Sequence, residues 1–191
     1  GVLLFGWNKV KQRVHFIATL GVFFGSVFSA VWIVVANSWQ QTPAGYHIVG
    51  EGMNARAEIT DFWAMVFNPS SVDRLLHVLL GALLAGAFLV ISVHAFYLLR
   101  DRYVILSQKA LKIALVVATT TALLQLASGH QSADGVAENQ PAKLAAFEGH
   151  FAESAPGDLY LLGWVDKETQ TVKGIKLPGG LSFLVDWNFT T

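Results

Sequence analysis

The 191-residue sequence contains no cysteine, and only 14% of its residues are charged. Without cysteine the chain forms no disulfide, thiolate metal site or iron–sulfur cluster, and it offers no cysteine nucleophile. Its 13 Lys and Arg residues balance 13 Asp and Glu residues, so the formal net charge is zero. This balance provides no basic surface for nucleic acid, and we expect no nucleic-acid partner.

The sequence contains long runs of apolar residues and few charged residues. Hydrophobic residues make up 53% of the sequence, the mean hydropathy is +0.48, and a soluble domain would have about 25% charged residues. A central run between Arg74 and Arg100 has 25 residues without a formal charge. At a rise of about 1.5 Å per residue, a helix of this length crosses a hydrocarbon core of about 30 Å. The sequence therefore predicts an all-α membrane protein, a transmembrane helical bundle.

Apolar and polar stretches divide the chain into two parts. Residues 1–128 are predicted to hold the end of one helix and three full spans, at about 15–36, 75–99 and 107–128. Residues 129–191 are polar and contain three prolines, which predicts a long loop with a short helix at 142–150 and strand-like segments at 158–163 and 171–175. Because the sequence begins with Gly1 inside an apolar run, we expect it to be an internal piece of a longer protein.

The positions of Lys and Arg predict the orientation in the membrane. Basic residues are concentrated in two short turns, Lys9–Arg13 and Arg100–Lys112, and the spans between them place both turns on one side. By the positive-inside rule that side is the cytoplasm. Residues 42–70 and 129–191 are therefore predicted to face outward.

His77 is an ionisable group inside the central span. Gly81 and Ala85 follow at four-residue spacing on the same helix face, so the imidazole lies above a groove of small residues where a flat cofactor can bind. In the alternative interpretation, the imidazole hydrogen-bonds a neighbouring helix and the small residues serve packing. His94 is 17 residues further on and faces another direction, so the two histidines cannot ligate one metal from this helix.

Three other residues are candidates for chemistry. Lys143 and Glu148 are five residues apart in the short helix of the loop and would flank a groove, although the spacing alone favours an ordinary solvated helix. Ser29, inside the first full span, could donate a proton, but packing against another helix is the favoured interpretation.

Several motifs, in order, resemble subunit I of the cytochrome bd-type quinol oxidases. They are Gly6-Trp7 before the first basic turn, SAVWIVVANSWQQTP at 29–43, Asn68-Pro69 before the helix with His77, and QPAKLAAFE at 140–148. The resemblance covers about three quarters of the chain and is weaker after Asp158.

This resemblance implies functional residues. His77 matches the histidine that ligates the iron of low-spin haem b, whose methionine ligand is expected on a later helix outside this sequence. Lys143 and Glu148 match residues of the outward Q-loop that bind quinol, and Ser29 matches a position on the proton path to the oxygen-reducing site. The ligands of the high-spin haem b and of haem d are expected outside Gly1–Thr191.

The resemblance also implies an enzyme that acts only as a full complex. It would oxidise ubiquinol or menaquinol at the outer face of the bacterial inner membrane, reduce O2 to water and generate a proton-motive force. Its implied partners are subunit II, small accessory membrane subunits, the lipid bilayer, quinol and O2. Two alternatives stay open: a non-enzymatic membrane cytochrome b or assembly subunit, and a transporter or channel segment.

Overall fold

A computed structural model of the chain describes residues 1–152 and 154–187, which divide into two compact units, Gly1–Ser128 and the residues from Gly129 onward. The helices are α1 (Val2–Phe5), α2 (Gln12–Gln41), α3 (Phe62–Val66), α4 (Ser71–Leu99), α5 (Val104–Asn139), α6 (Pro141–Phe147) and α7 (Gly180–Asp186). The strands are β1 (Tyr46–Val49), β2 (Arg56–Ile59), β3 (Leu159–Asp166) and β4 (Thr171–Leu177).

Within the described residues, three helices, α2, α4 and α5, are long and apolar enough to cross a membrane. One of them lies at each predicted span, but each helix is longer than its charge-free run. The largest difference is in α5, which continues to Asn139 where the sequence predicted a loop from Gly129. Helix α5 ends there because the proline ring of Pro141 disfavours helical backbone at Gln140, whose φ is −142°.

The spans of the first unit turn most of their apolar side chains outward. In the most apolar window of each helix, only 6% to 17% of the residues are buried. The buried apolar residues are mostly small, and they are Val34, Val35, Leu80, Ala87, Ala114 and Ala118. In a bilayer, lipid tails are as apolar as leucine, so packing of small residues and polar contacts hold helices together instead of a hydrophobic core.

A buried polar network joins the end of α2 to the start of α4. Asn68 Nδ2 donates to Ser38 Oγ at 2.9 Å and to the Met65 carbonyl at 3.0 Å. Asn68 Oδ1 accepts from Thr42 Oγ1 at 3.1 Å and from the Ser70 backbone N–H at 3.2 Å. The side chains of Ser38, Thr42, Asn68 and Ser70 are all buried. Asn68 thus fixes where α4 begins relative to α2.

The connection between α2 and α4 contains structure that the sequence analysis did not predict. Strands β1 and β2 pair antiparallel, from Tyr46↔Ile59 to Val49↔Arg56. The aromatic segment that follows forms α3, and Asp61 caps it by accepting from the backbone N–H groups of Trp63 at 2.9 Å and Ala64 at 3.0 Å. The connection is therefore an ordered hairpin and short helix.

The second unit is built on the antiparallel hairpin of β3 and β4, which confirms the predicted strand-like segments. The Asp158 carboxylate precedes the hairpin and accepts from Lys176 Nζ on β4 and from the Gly179 backbone N–H at 3.3 Å. The hydrogen bond from Lys176 is the main reason that the pKa of Asp158 is below its ordinary value, and the same bond raises the pKa of Lys176.

Replacing Asn68 by Ala should destabilise the first unit by about 3 kcal/mol, because it leaves several buried polar groups without partners. The midpoint of thermal unfolding in detergent measures this loss. The matched control is Asn54→Ala, since Asn54 is exposed and such a change usually stays within about 0.5 kcal/mol. Equal midpoints for the two variants would contradict the role of Asn68.

Replacing Lys176 by Gln should speed amide hydrogen exchange in β3 and β4 at neutral pH. Because the folded pKa of Asp158 is depressed, the stabilisation is present above about pH 4 and is lost as the pH falls through the folded pKa. Because the pKa of Lys176 is raised, the stabilisation is also lost as the pH rises through its folded pKa, above about 10.4.

The rates of amide hydrogen exchange in Lys176→Gln and in the wild type should therefore become equal in acid. The control is Lys173→Gln, which removes the same charge from the same strand. A difference between Lys176→Gln and the wild type that persists well below pH 3 would show that the ion pair is not its cause.

Candidate functional site

The His77 imidazole lies half-buried on α4, about a turn and a half after the helix begins at Ser71. Its Nδ1 is 3.1 Å from Ser128 Oγ on α5. The Gln125 amide nitrogen, also on α5, is 2.9 Å from Nε2 and 3.2 Å from Nδ1. Gln125 and Ser128 are three residues apart and so lie on one face of their helix. One face of α5 therefore contacts both ring nitrogens.

Gly81 lies beside the same amide group. A Cβ added at Gly81 would be 3.7 Å from Gln125 Nε2, so Gly81 and His77 both adjoin this amide. Gln125 Oε1 is buried and has no hydrogen-bond partner among the described residues. Iron could bind His77 Nε2 only if the Gln125 amide, which is 2.9 Å from that nitrogen, moved away. No hydrogen bond at Oε1 opposes this movement, so the half-buried imidazole beside a glycine fits a haem ligand.

His94 makes a matching contact at the other end of the same helix pair. Its Nδ1 is 3.1 Å from Ser107 Oγ on α5, and Ser107 is fully buried. The rings of His94 and Tyr97 meet edge to face, with centroids 5.9 Å apart. His77 and His94 therefore contact α5 at Ser128 and at Ser107, which are far apart along that helix, and they do not converge on one metal. Among residues 1–152 and 154–187, no group of three His, Asp or Glu side chains is placed to hold a metal ion.

The sequence analysis missed Gln125 and Ser128 as partners of His77. The signal was present as a polar stripe in an apolar helix, because Thr121, Gln125 and Ser128 recur at spacings of four and three. Ser29 lies exposed on α2, and no hydrogen bond within the described part of the chain links it to either histidine.

Lys143 is half-buried on α6, the short helix of the second unit. Its Nζ donates to Gln140 Oε1 at 3.4 Å and lies 5.5 Å from the centre of the Phe147 ring. Pro141 is at the first position of this helix, where its missing N–H costs nothing. The Gln140 amide and the Phe147 ring thus hold the Lys143 ammonium group near the start of α6.

Glu148 lies at the C-terminal end of α6 and not within it. The predicted helix at 142–150 stops at Phe147, because Gly149 adopts a left-handed backbone with φ of +71°. The His150 N–H then bonds the Ala145 carbonyl at 2.8 Å, which closes the helix end in a Schellman turn. A Cβ at Gly149 would be 2.9 Å from a Val172 methyl group on β4. The turn that follows Glu148 is thus fixed against the hairpin.

Comparison with known proteins assigns the chain to a family. The family described as cytochrome bd terminal oxidase subunit I matches residues 1–191. The chain belongs to the cytochrome bd subunit I family. It is 35% identical, over its full length, to the cytochrome bd ubiquinol oxidase subunit 1 of Bacillus subtilis (strain 168), and covers 40% of that protein. Over 96% of its length it is 34% identical to the cytochrome bd-II ubiquinol oxidase subunit 1 of Escherichia coli (strain K12), of which it covers 36%.

A solved structure supports the same assignment. The bd oxidase of Geobacillus thermodenitrificans matches the whole chain with a TM-score of 0.75 and 30% identity, and the chain covers 43% of that structure's subunit. The cytochrome bd family assignment confirms the membrane helical bundle that the sequence predicted. The chain spans about two fifths of the length of these relatives.

Proposed function

We propose that this chain supplies one axial ligand of a low-spin haem b and part of the quinol site of a terminal quinol oxidase. His77 is the haem ligand, and Lys143 and Glu148 act on the quinol. One observation carries the proposal: a half-buried imidazole inside a membrane helix of a cytochrome bd family chain has its Nδ1 against a serine hydroxyl. The names of the relatives, which are ubiquinol oxidase subunits, support the quinol assignment.

His77 would offer Nε2 to the iron, since its Nδ1 faces Ser128, and the Gln125 amide would move away from Nε2. A haem b held there would supply one-electron transfer. Its second ligand is expected outside this sequence, because Met53 and Met65 both lie in the connection between α2 and α4. Ser29 stays a prediction for the proton path, and the high-spin haem b, haem d and the other subunits belong to the proposed full complex.

Lys143 and Glu148 have complementary roles toward a quinol. The Glu148 carboxylate accepts a proton from a quinol hydroxyl, and the Lys143 ammonium donates a hydrogen bond to a quinol oxygen. Gln140 positions that ammonium. The positive-inside rule predicts that this segment faces outward, so the protons leave on the outer side and add to the proton-motive force.

Replacing His77 by Ala in the complete oxidase should abolish the low-spin haem b signal in reduced-minus-oxidised spectra, because the iron loses an axial ligand. The matched control is His94→Ala, which removes an imidazole from the same helix with the same type of serine contact. His94→Ala should keep the signal. Retention of low-spin haem b in His77→Ala would overturn the ligand assignment.

Replacing Glu148 by Gln should lower quinol-dependent oxygen consumption by about a hundredfold, which is a typical effect of losing a general base. Oxygen consumption with an artificial electron donor that bypasses the quinol site should stay near the wild-type rate. The control is Glu138→Gln, since Glu138 is exposed at the end of α5. If Glu148→Gln leaves both rates unchanged, Glu148 has no part in quinol oxidation.

A further inference from the structure

Two histidine–serine contacts with the same nitrogen–oxygen distance connect α4 and α5. His77 Nδ1 is 3.1 Å from Ser128 Oγ, and His94 Nδ1 is 3.1 Å from Ser107 Oγ. Both serines are buried, at 5% and 0% exposure. The first pair adjoins Gln125 and Gly81, whereas the second adjoins Tyr97. The two contacts therefore match in chemistry, and only the first lies at the proposed haem ligand.

The contact at Ser128 fits the tautomer of His77 that would bind iron through Nε2. An imidazole that binds iron through Nε2 carries its proton on Nδ1, and that N–H needs an acceptor. The Gln125 amide nitrogen only donates, whereas Ser128 Oγ can accept. Ser128 is also buried.

We propose that Ser128 is the positioning residue of His77, accepting its Nδ1–H and so fixing both the tautomer and the ring orientation for iron at Nε2. This inference rests on the proposed role of His77 as a haem ligand. A hydrogen bond donated by Nδ1–H to Ser128 would make Nε2 a more basic ligand, which would favour the ferric form of the iron and lower its midpoint potential.

The test is Ser128→Ala in the complete oxidase, with two readouts on the low-spin haem b: its midpoint potential and its rate of loss to apomyoglobin. The potential should rise, and haem loss should be about tenfold faster, since lost outer partners typically weaken metal sites 10- to 100-fold. Ser128→Thr keeps the hydroxyl and should restore both values. Ser128→Cys keeps the size with a weak acceptor and should also raise the potential, which serves the test if the Ala variant does not assemble.

The matched control is Ser107→Ala, which removes the other pair between the same two helices and should leave the potential and haem loss unchanged. A shift of equal size in Ser107→Ala would mean that helix packing causes the effect, and it would overturn the proposal. Wild-type values in both Ser128→Ala and Ser128→Cys, while His77→Ala loses the haem, would overturn the role of Ser128 alone. Retention of the haem in His77→Ala would instead overturn the proposed function.

Discussion

Polar side chains inside an apolar medium must find their partners within the protein, and this constraint sets the position of α4. A buried hydroxyl or amide without a partner costs more than the net gain from an ordinary hydrogen bond. The start of α4 meets this demand through Asn68, and its body meets it through His77 and His94. Three polar contacts therefore define where a helix with a mostly apolar surface lies.

Apolar packing alone would not define that position so sharply. Between its two histidine–serine contacts, the pair of α4 and α5 leaves an apolar groove of about 540 Å³, lined mainly by Ala, Gly and Val. Such residues allow helices to approach but specify little about rotation or register. The polar contacts at the two ends supply that specificity, and the one at Ser128 lies at the residue proposed to bind haem.

Features that depend on a single helix can be predicted from this sequence, whereas the contacts between two helices cannot. The spans followed from charge-free runs, and His77 above Gly81 followed from helical spacing. The partners Gln125 and Ser128 were not identified, because which face of α5 meets α4 depends on tertiary packing. The polar composition after Gly129 predicts a loop, but α5 continues to Asn139. The first strong signal that ends this helix is Gln140-Pro141. Likewise, Glu148 lies just outside the helix that was predicted at 142–150, because the left-handed backbone at Gly149 ends that helix at Phe147.

A serine suits the neighbourhood of His77 better than the carboxylate that often orients a metal-binding histidine. A charged group inside a span costs about 2.5–3.5 kcal/mol on insertion scales, whereas a hydroxyl supplies an acceptor without charge. Helix α4 follows this division, since it has no charged residue between Arg74 and Arg100. Charged pairs such as Asp158 and Lys176 lie in the second unit, outside the apolar runs. Neutral hydrogen-bonding groups thus surround the residue that is proposed to hold the haem.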